Sequence, residues 1–190
     1  MNLLAQWKTR DLIVTAVIAV ALGIIFMGYG TFYVAMVGLL GQVGVMLILG
    51  FYYLSGILVP YIVRKRGAAL LASFLAAFTE LLLGSPFGIS AVWAGLIQGL
   101  GAEVVFAARA WKDYRLLTLI VAAIFSGIFA FFYEYVLFSY GNLGVDVQLG
   151  LFLLRMPSAV ILAGWLGKLL GDALVRTGVL RGMAITRKKT

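Results

Sequence analysis

Between Arg64 and Lys112 the chain reads RKRGAALLASFLAAFTELLLGSPFGISAVWAGLIQGLGAEVVFAARAWK. Two apolar runs meet at the turn Gly84-Ser85-Pro86-Phe87-Gly88 and are bounded at both ends by positive charge. Each run carries one carboxylate, Glu80 in the first and Glu103 in the second. An ionisable group inside a lipid-spanning helix is costly, so it marks a functional position by default.

The remaining sequence is equally apolar. Of 190 residues, 64% are hydrophobic and only 12% charged, with a mean hydropathy of +1.09. A soluble domain is nearer half apolar and a quarter charged. The runs are too long and continuous for barrel strands, which alternate residue by residue. Lipid offers no partner to backbone N–H and C=O groups, so helices are the remaining way across. The expected fold is therefore an all-α integral membrane protein, a single domain over residues 1–190. Six spans are expected: Leu12–Phe26, Val45–Val63, Ala68–Leu83, Gly88–Ala108, Leu116–Phe138 and Leu149–Ala173. The N-terminus superficially resembles a signal peptide, but the many spans behind it favour a retained first helix.

The net charge of +8 suggests nucleic acid only until its distribution is considered. Fourteen of the fifteen Lys and Arg residues fall in the N-terminal segment, the 2–3 and 4–5 loops, the inner end of the last helix and the C-terminal tail. The segments 29–44, 84–87 and 139–148 hold none. That asymmetry places both termini in the cytoplasm and leaves Arg155 as the exception, in the outer half of the last helix. No nucleic-acid partner is expected; the bilayer is. The segment 29–44 is Gly-broken, and reads as an outer loop or re-entrant piece lying as a lid over the bundle; a seventh short span is the alternative.

Small residues recur at four-residue spacing on several helices, which lets helices approach closely in lipid. Ordinary packing within the chain explains most of these ridges. The ridge Thr15, Ala19, Gly23 carries no charge, and is the expected docking face for another membrane protein. Glu80, Glu103, Glu134 and Arg155 lie on or beside such ridges, so they are expected to face protein. Glu80 and Glu134 sit about one turn, roughly 5–6 Å, from the outer helix ends and Arg155 about two turns. These three can meet at one level, whereas Glu103 lies ~20 Å deep. Trp93, Gln98, Tyr53 and Tyr133 are placed nearby. Two carboxylates against one Arg, ringed by aromatics, suit a cation or protonatable heteroaromatic ring. A plain buried ion pair with a spare carboxylate is the alternative, and belt residues explain any single Tyr.

The chain has no Cys and no His, so disulfides and thiolate or imidazole metal sites are impossible. No metal or cofactor is expected. No GxxxxGK[ST] loop occurs, so ATP hydrolysis is not expected of this chain. Nothing marks a nucleophile–base pair. A small helical protein with an outward-facing polar pocket and no energising machinery reads as the binding subunit of a larger machine.

The segments RKRGAALLASFLAAFTELLLGSPFG (64–88) and GLIQGLGAEVVFA (95–107) resemble the S components, the substrate-binding membrane subunits, of energy-coupling-factor vitamin transporters. Within them the sequence is most similar to the YkoE family, assigned to thiamine or its hydroxymethylpyrimidine precursor. Weaker likeness covers LLRMPSAVILAGWLGKLL and LVRTGVL within 153–180. Arg66 departs from the pattern, standing where Pro is expected before Gly67. The resemblance implies six helices, a high-affinity site near the extracellular face covered by the loop after helix 1, and no catalysis by this subunit. It implies as partners a transmembrane coupling subunit and ATP-binding subunits, whose ATP hydrolysis reorients the S component. Carried onto this sequence, it makes Glu80 the carboxylate for the aminopyrimidine, with Trp93 and Gln98 next, then Glu134, Tyr133, Tyr53 and Arg155. The alternatives are an S component for another vitamin, or a membrane-embedded enzyme using Glu103 and Gln98 as acid–base groups. For Glu103 a structural hydrogen-bonding role is favoured over ligand contact.

Overall fold

The computed structural model describes residues 7–186. Arg187, Lys188 and Lys189 of the basic tail lie outside them. Six helices account for nearly all of the described chain: α1 (Thr9–Gly44), α2 (Met46–Val63), α3 (Ala68–Leu82), α4 (Ser90–Ala108), α5 (Leu116–Leu137) and α6 (Val145–Arg176). Five are long and apolar enough to cross a bilayer. The sixth, α3, has 15 residues, or roughly 22 Å of helix against the ~30 Å hydrocarbon thickness.

α2 is the centre of the bundle, with every residue from Tyr53 to Val63 buried. After its first turn it tightens into a 3-10 turn at Gly50–Tyr53. There Gly50 lies against the backbone of Ser158 on α6 and donates its N–H to Ser158 Oγ at 2.8 Å. The other crossings also use small residues. Gly23 of α1 meets Ala76 and Thr79 of α3, and Gly95 and Gly99 of α4 meet Ser73 and Ala69 of α3. Gly101 of α4 meets Phe125 and Ser126 of α5, and Gly164, in a π-helical stretch of α6, meets Ile120 of α5. Lipid is as apolar as the core, so close backbone approach supplies much of the attraction between such helices.

Two expectations are corrected. The segment 29–44 is not a loop: α1 continues through it for 36 residues, about 54 Å of helix. Gly28, Gly30 and Gly38 do not end it, since a lone Gly costs a helix interior only about 1 kcal/mol. Only Gly41, at φ 68°, interrupts the helix. The ridge Thr15, Ala19, Gly23 is not a free docking face either. All three residues are buried, and a Cβ on Gly23 would come within 2.6 Å of Thr79 Cβ on α3. The absence of charge on that ridge reflects packing inside the bundle. The exposed face of α1 carries Ile13, Val17, Val20 and Ile24 instead.

The basic loops gather at one end. Glu103 of α4 accepts the N–H groups of Gly67 and Ala69 at the start of α3, at 2.6 and 3.0 Å, and the indole N–H of Trp111 at 2.6 Å. A carboxylate is favourable there because the first N–H groups of a helix have no intrahelical partner and carry partial positive charge. Arg66 stacks over the Trp111 ring, 4.7 Å from its centroid. Lys65 pairs with Asp11 of α1 at 3.4 Å. Asp113 accepts the Arg115 N–H at the start of α5, and bonds from Arg115 hold its carboxyl well below the usual range.

Candidate ligand-binding cavity

At the opposite end of the bundle a cavity of about 560 Å³ opens between α1, α2, α3, α4 and α5. That is within the usual range for small-molecule sites. Its first polar wall is Glu80, two residues from the end of α3 and 2% exposed. Gly84 and Gly88 adopt positive φ (91° and 57°), a conformation side-chain-bearing residues resist, and reverse the chain. The reversal brings Ser85 back, so that its hydroxyl donates to Glu80 Oε1 at 2.8 Å while accepting the Phe87 N–H at 3.2 Å. Among the described residues no Lys or Arg forms an ion pair with Glu80.

The second polar wall is Glu134 of α5. Its Oε2 is ion-paired with Arg155 Nη2 and accepts the Tyr140 hydroxyl at 3.4 Å. Arg155 is wholly buried behind it, with Nη2 3.3 Å from Met46 Sδ and the guanidinium over the Phe131 ring. The expected meeting of three charges thus divides. Glu134 and Arg155 pair, and Glu80 stands apart on its own wall of the same cavity.

Of the other expected site residues, Gln98 and Tyr133 line the cavity. Tyr133 points its hydroxyl toward the Ser90 carbonyl at 3.5 Å. Trp93, Tyr53 and Arg155 do not line it. Trp93 is 56% exposed on the outer face of α4. Five residues, about 500° of helix at 3.6 residues per turn, separate it from Gln98, so the two cannot share a face. Tyr53 is fully buried in the core, one position round from Tyr52, which does line the cavity.

Tyr33, Phe87, Gln42 and Ser73 also line the cavity and were not anticipated. Tyr33, Tyr52 and Phe87 form a three-way edge-to-face cluster, with centroids 5.9 to 6.3 Å apart. Tyr33 and Val37 share a face of α1 at four-residue spacing, a signal hidden once 29–44 is read as a loop. Aromatic edges and faces beside an unpaired carboxylate make a surface suited to flat, cationic or hydrogen-bond-donating rings. Among the described residues no three His, Cys, Asp or Glu are grouped to hold a metal ion.

A family model described as ABC-type cobalt transport system, permease component, matches residues 10–129. A Bacillus subtilis (strain 168) protein named "Putative HMP/thiamine permease protein YkoE" is 34% identical over 183 residues, 96% of this chain and 92% of the relative. A solved structure described as the crystal structure of an S-component of ECF transporter superposes with a TM-score of 0.92 at 34% identity. The superposition covers 95% of this chain and 91% of that one. The chain belongs to the YkoE-like S components of energy-coupling-factor transporters. An S component is a multi-pass, non-catalytic transport subunit that works with coupling and ATPase partners. The role of Glu103 as a helix cap agrees with that assignment and not with acid–base chemistry. In this S component the cavity carries carboxylates from two helices, Glu80 of α3 and Glu134 of α5, and the candidate site is placed there.

Proposed function

We propose that this S component binds thiamine or its hydroxymethylpyrimidine precursor in the Glu80 cavity and presents it for inward transport. The observation that carries the reading is Glu80 itself: a buried carboxylate on the cavity wall, held by a neutral hydroxyl and facing aromatic rings. An aminopyrimidine offers N–H donors to a carboxylate and a flat face to aromatic side chains. The relative whose printed name includes HMP/thiamine supports the same ligand class. The cobalt in the family description finds less support here, since the chain has neither His nor Cys.

In this reading both termini and the basic loops face the cytoplasm, by the asymmetry of Lys and Arg. The cavity then opens outward, and the second half of α1, which brings Tyr33, Val34 and Val37 to it, serves as its lid. The coupling and ATP-hydrolysing partners reorient the subunit to release the ligand inside. The test is calorimetric titration of the purified full-length protein with thiamine, hydroxymethylpyrimidine and riboflavin. Binding of either of the first two, with none of riboflavin, is expected. Binding of riboflavin alone assigns the cavity to another vitamin.

A further inference from the structure

A second groove, of about 400 Å³, lies at the basic end of the bundle, far from the ligand cavity. It runs between Leu116 at the start of α5 and the face of α6 that carries Trp165 and Leu169. Lys168, Asp172 and Arg176 complete its walls. The helices touch where Gly164 meets Ile120, a Cβ there coming within 2.9 Å of Ile120 Cα. Leu116 is one turn further toward the basic end, and there the groove is open.

The polar groups of the groove are already partly balanced. Lys168 Nζ bonds to Asp172 Oδ2, and the Tyr61 hydroxyl donates to Asp172 Oδ1 at 2.6 Å. Both carboxylate oxygens are therefore engaged. Arg176, at the helix end, is exposed and forms no ion pair among the described residues. Two cations against one carboxylate leave the groove with one net positive charge. Below them the surface is apolar and open, with Trp165 and Leu169 each about half exposed (52% and 49%).

We propose that this groove binds one anionic phospholipid, its phosphate at Arg176 and an acyl chain along Leu169 and Trp165. The dimensions agree. Trp165 lies eleven residues before Arg176, or roughly 16 Å along the helix, close to half of the ~30 Å hydrocarbon thickness. An acyl chain lying beside α6 would run from the interfacial Arg to the middle of the bilayer. Lys168 sits deeper but reaches toward Asp172 on its flexible stem, so no unpaired charge is left among the hydrocarbon. Charge complementarity selects the headgroup, since basic pockets between helices at a membrane surface favour anionic lipids. A free phosphate would use Arg176 but leave the apolar wall uncovered. The proposal does not depend on which ligand occupies the Glu80 cavity.

The full-length protein, purified in detergent with equimolar phosphatidylglycerol and phosphatidylcholine, tests it by native mass spectrometry of the retained lipids. Wild type is expected to retain phosphatidylglycerol with a preference of about fivefold, the scale of one interfacial basic residue. Arg176→Gln is expected to bring the two lipids near parity. Ala173→Trp, which narrows the groove without changing charge, is expected to lower phosphatidylglycerol retention. The exposed pair Arg109→Gln and Lys112→Gln, at the same end of the bundle, is expected to leave the preference unchanged and reports on general surface charge. Equal retention of both lipids by wild type, an unaltered preference in Arg176→Gln, or displacement of phosphatidylglycerol by millimolar inorganic phosphate would each overturn the proposal.

Discussion

Ser85 turns back through Gly84 to place its hydroxyl 2.8 Å from the Glu80 carboxylate, so the acid on the cavity wall is held by a neighbour without charge. Glu134, on the facing helix, is held by a buried Arg instead. Two carboxylates in one cavity are thereby made different: one already neutralised, the other open to a cationic or N–H-donating ligand.

Glu80→Gln removes the charge while keeping the shape. It is expected to weaken thiamine or hydroxymethylpyrimidine binding by ~1.5–3 kcal/mol, the worth of a charged hydrogen bond. Ser85→Ala is expected to cost less, about 1 kcal/mol, because it only loosens the carboxylate. Calorimetric titration measures both, and an unchanged affinity in Glu80→Gln would remove Glu80 from the site.

Arg155→Met leaves Glu134 without its partner beside a buried core. It is expected to destabilise the protein by about 3 kcal/mol, whereas Arg155→Met combined with Glu134→Gln recovers most of that loss. Thermal unfolding in detergent reads both. A double variant no more stable than the single one would show that the Arg acts by packing and not by pairing.

Glu103→Ala strips the acceptor from two N–H groups at the start of α3 and from the Trp111 indole. A loss of about 1–3 kcal/mol in stability is expected, with ligand affinity unaltered. A folded Glu103→Ala protein that bound no ligand would instead tie this residue to the cavity.

Trp93→Ala is expected to leave ligand affinity within about twofold of wild type, as for other substitutions on an exposed face. A larger loss would mean that the outer face of α4 contacts ligand after all.

That Glu80 and Gln98 line the cavity while Trp93 faces outward has one cause. Glu80 could be assigned to the interior from chemistry, because a carboxylate in a lipid-facing position is too costly to persist. Gln98 follows the same logic more weakly. Trp93 is stable facing either lipid or protein, so composition does not choose between them. Tyr53 and Tyr52 are adjacent, and only the direction of the 3-10 turn at Gly50–Tyr53 sends one into the core and the other to the cavity. The ridge Thr15, Ala19, Gly23 was correctly recognised as a close-packing surface, but its partner proved to be α3 and not another protein.

By itself the sequence determined the membrane class, six apolar helices and the gathering of Lys and Arg in the loops at one end. It also determined the interior placement of the ionisable side chains, because lipid penalises bare backbone and bare charge whatever the packing. Tertiary structure alone decided that α1 continues through 29–44 to bring Tyr33 over the cavity, that Arg155 stands behind Glu134, and that Ser85 returns to Glu80. In water an apolar stripe reveals which side of a helix faces the core. In lipid both sides are apolar, that periodic signal fades, and only the packing of one helix on the next decides which side chains meet.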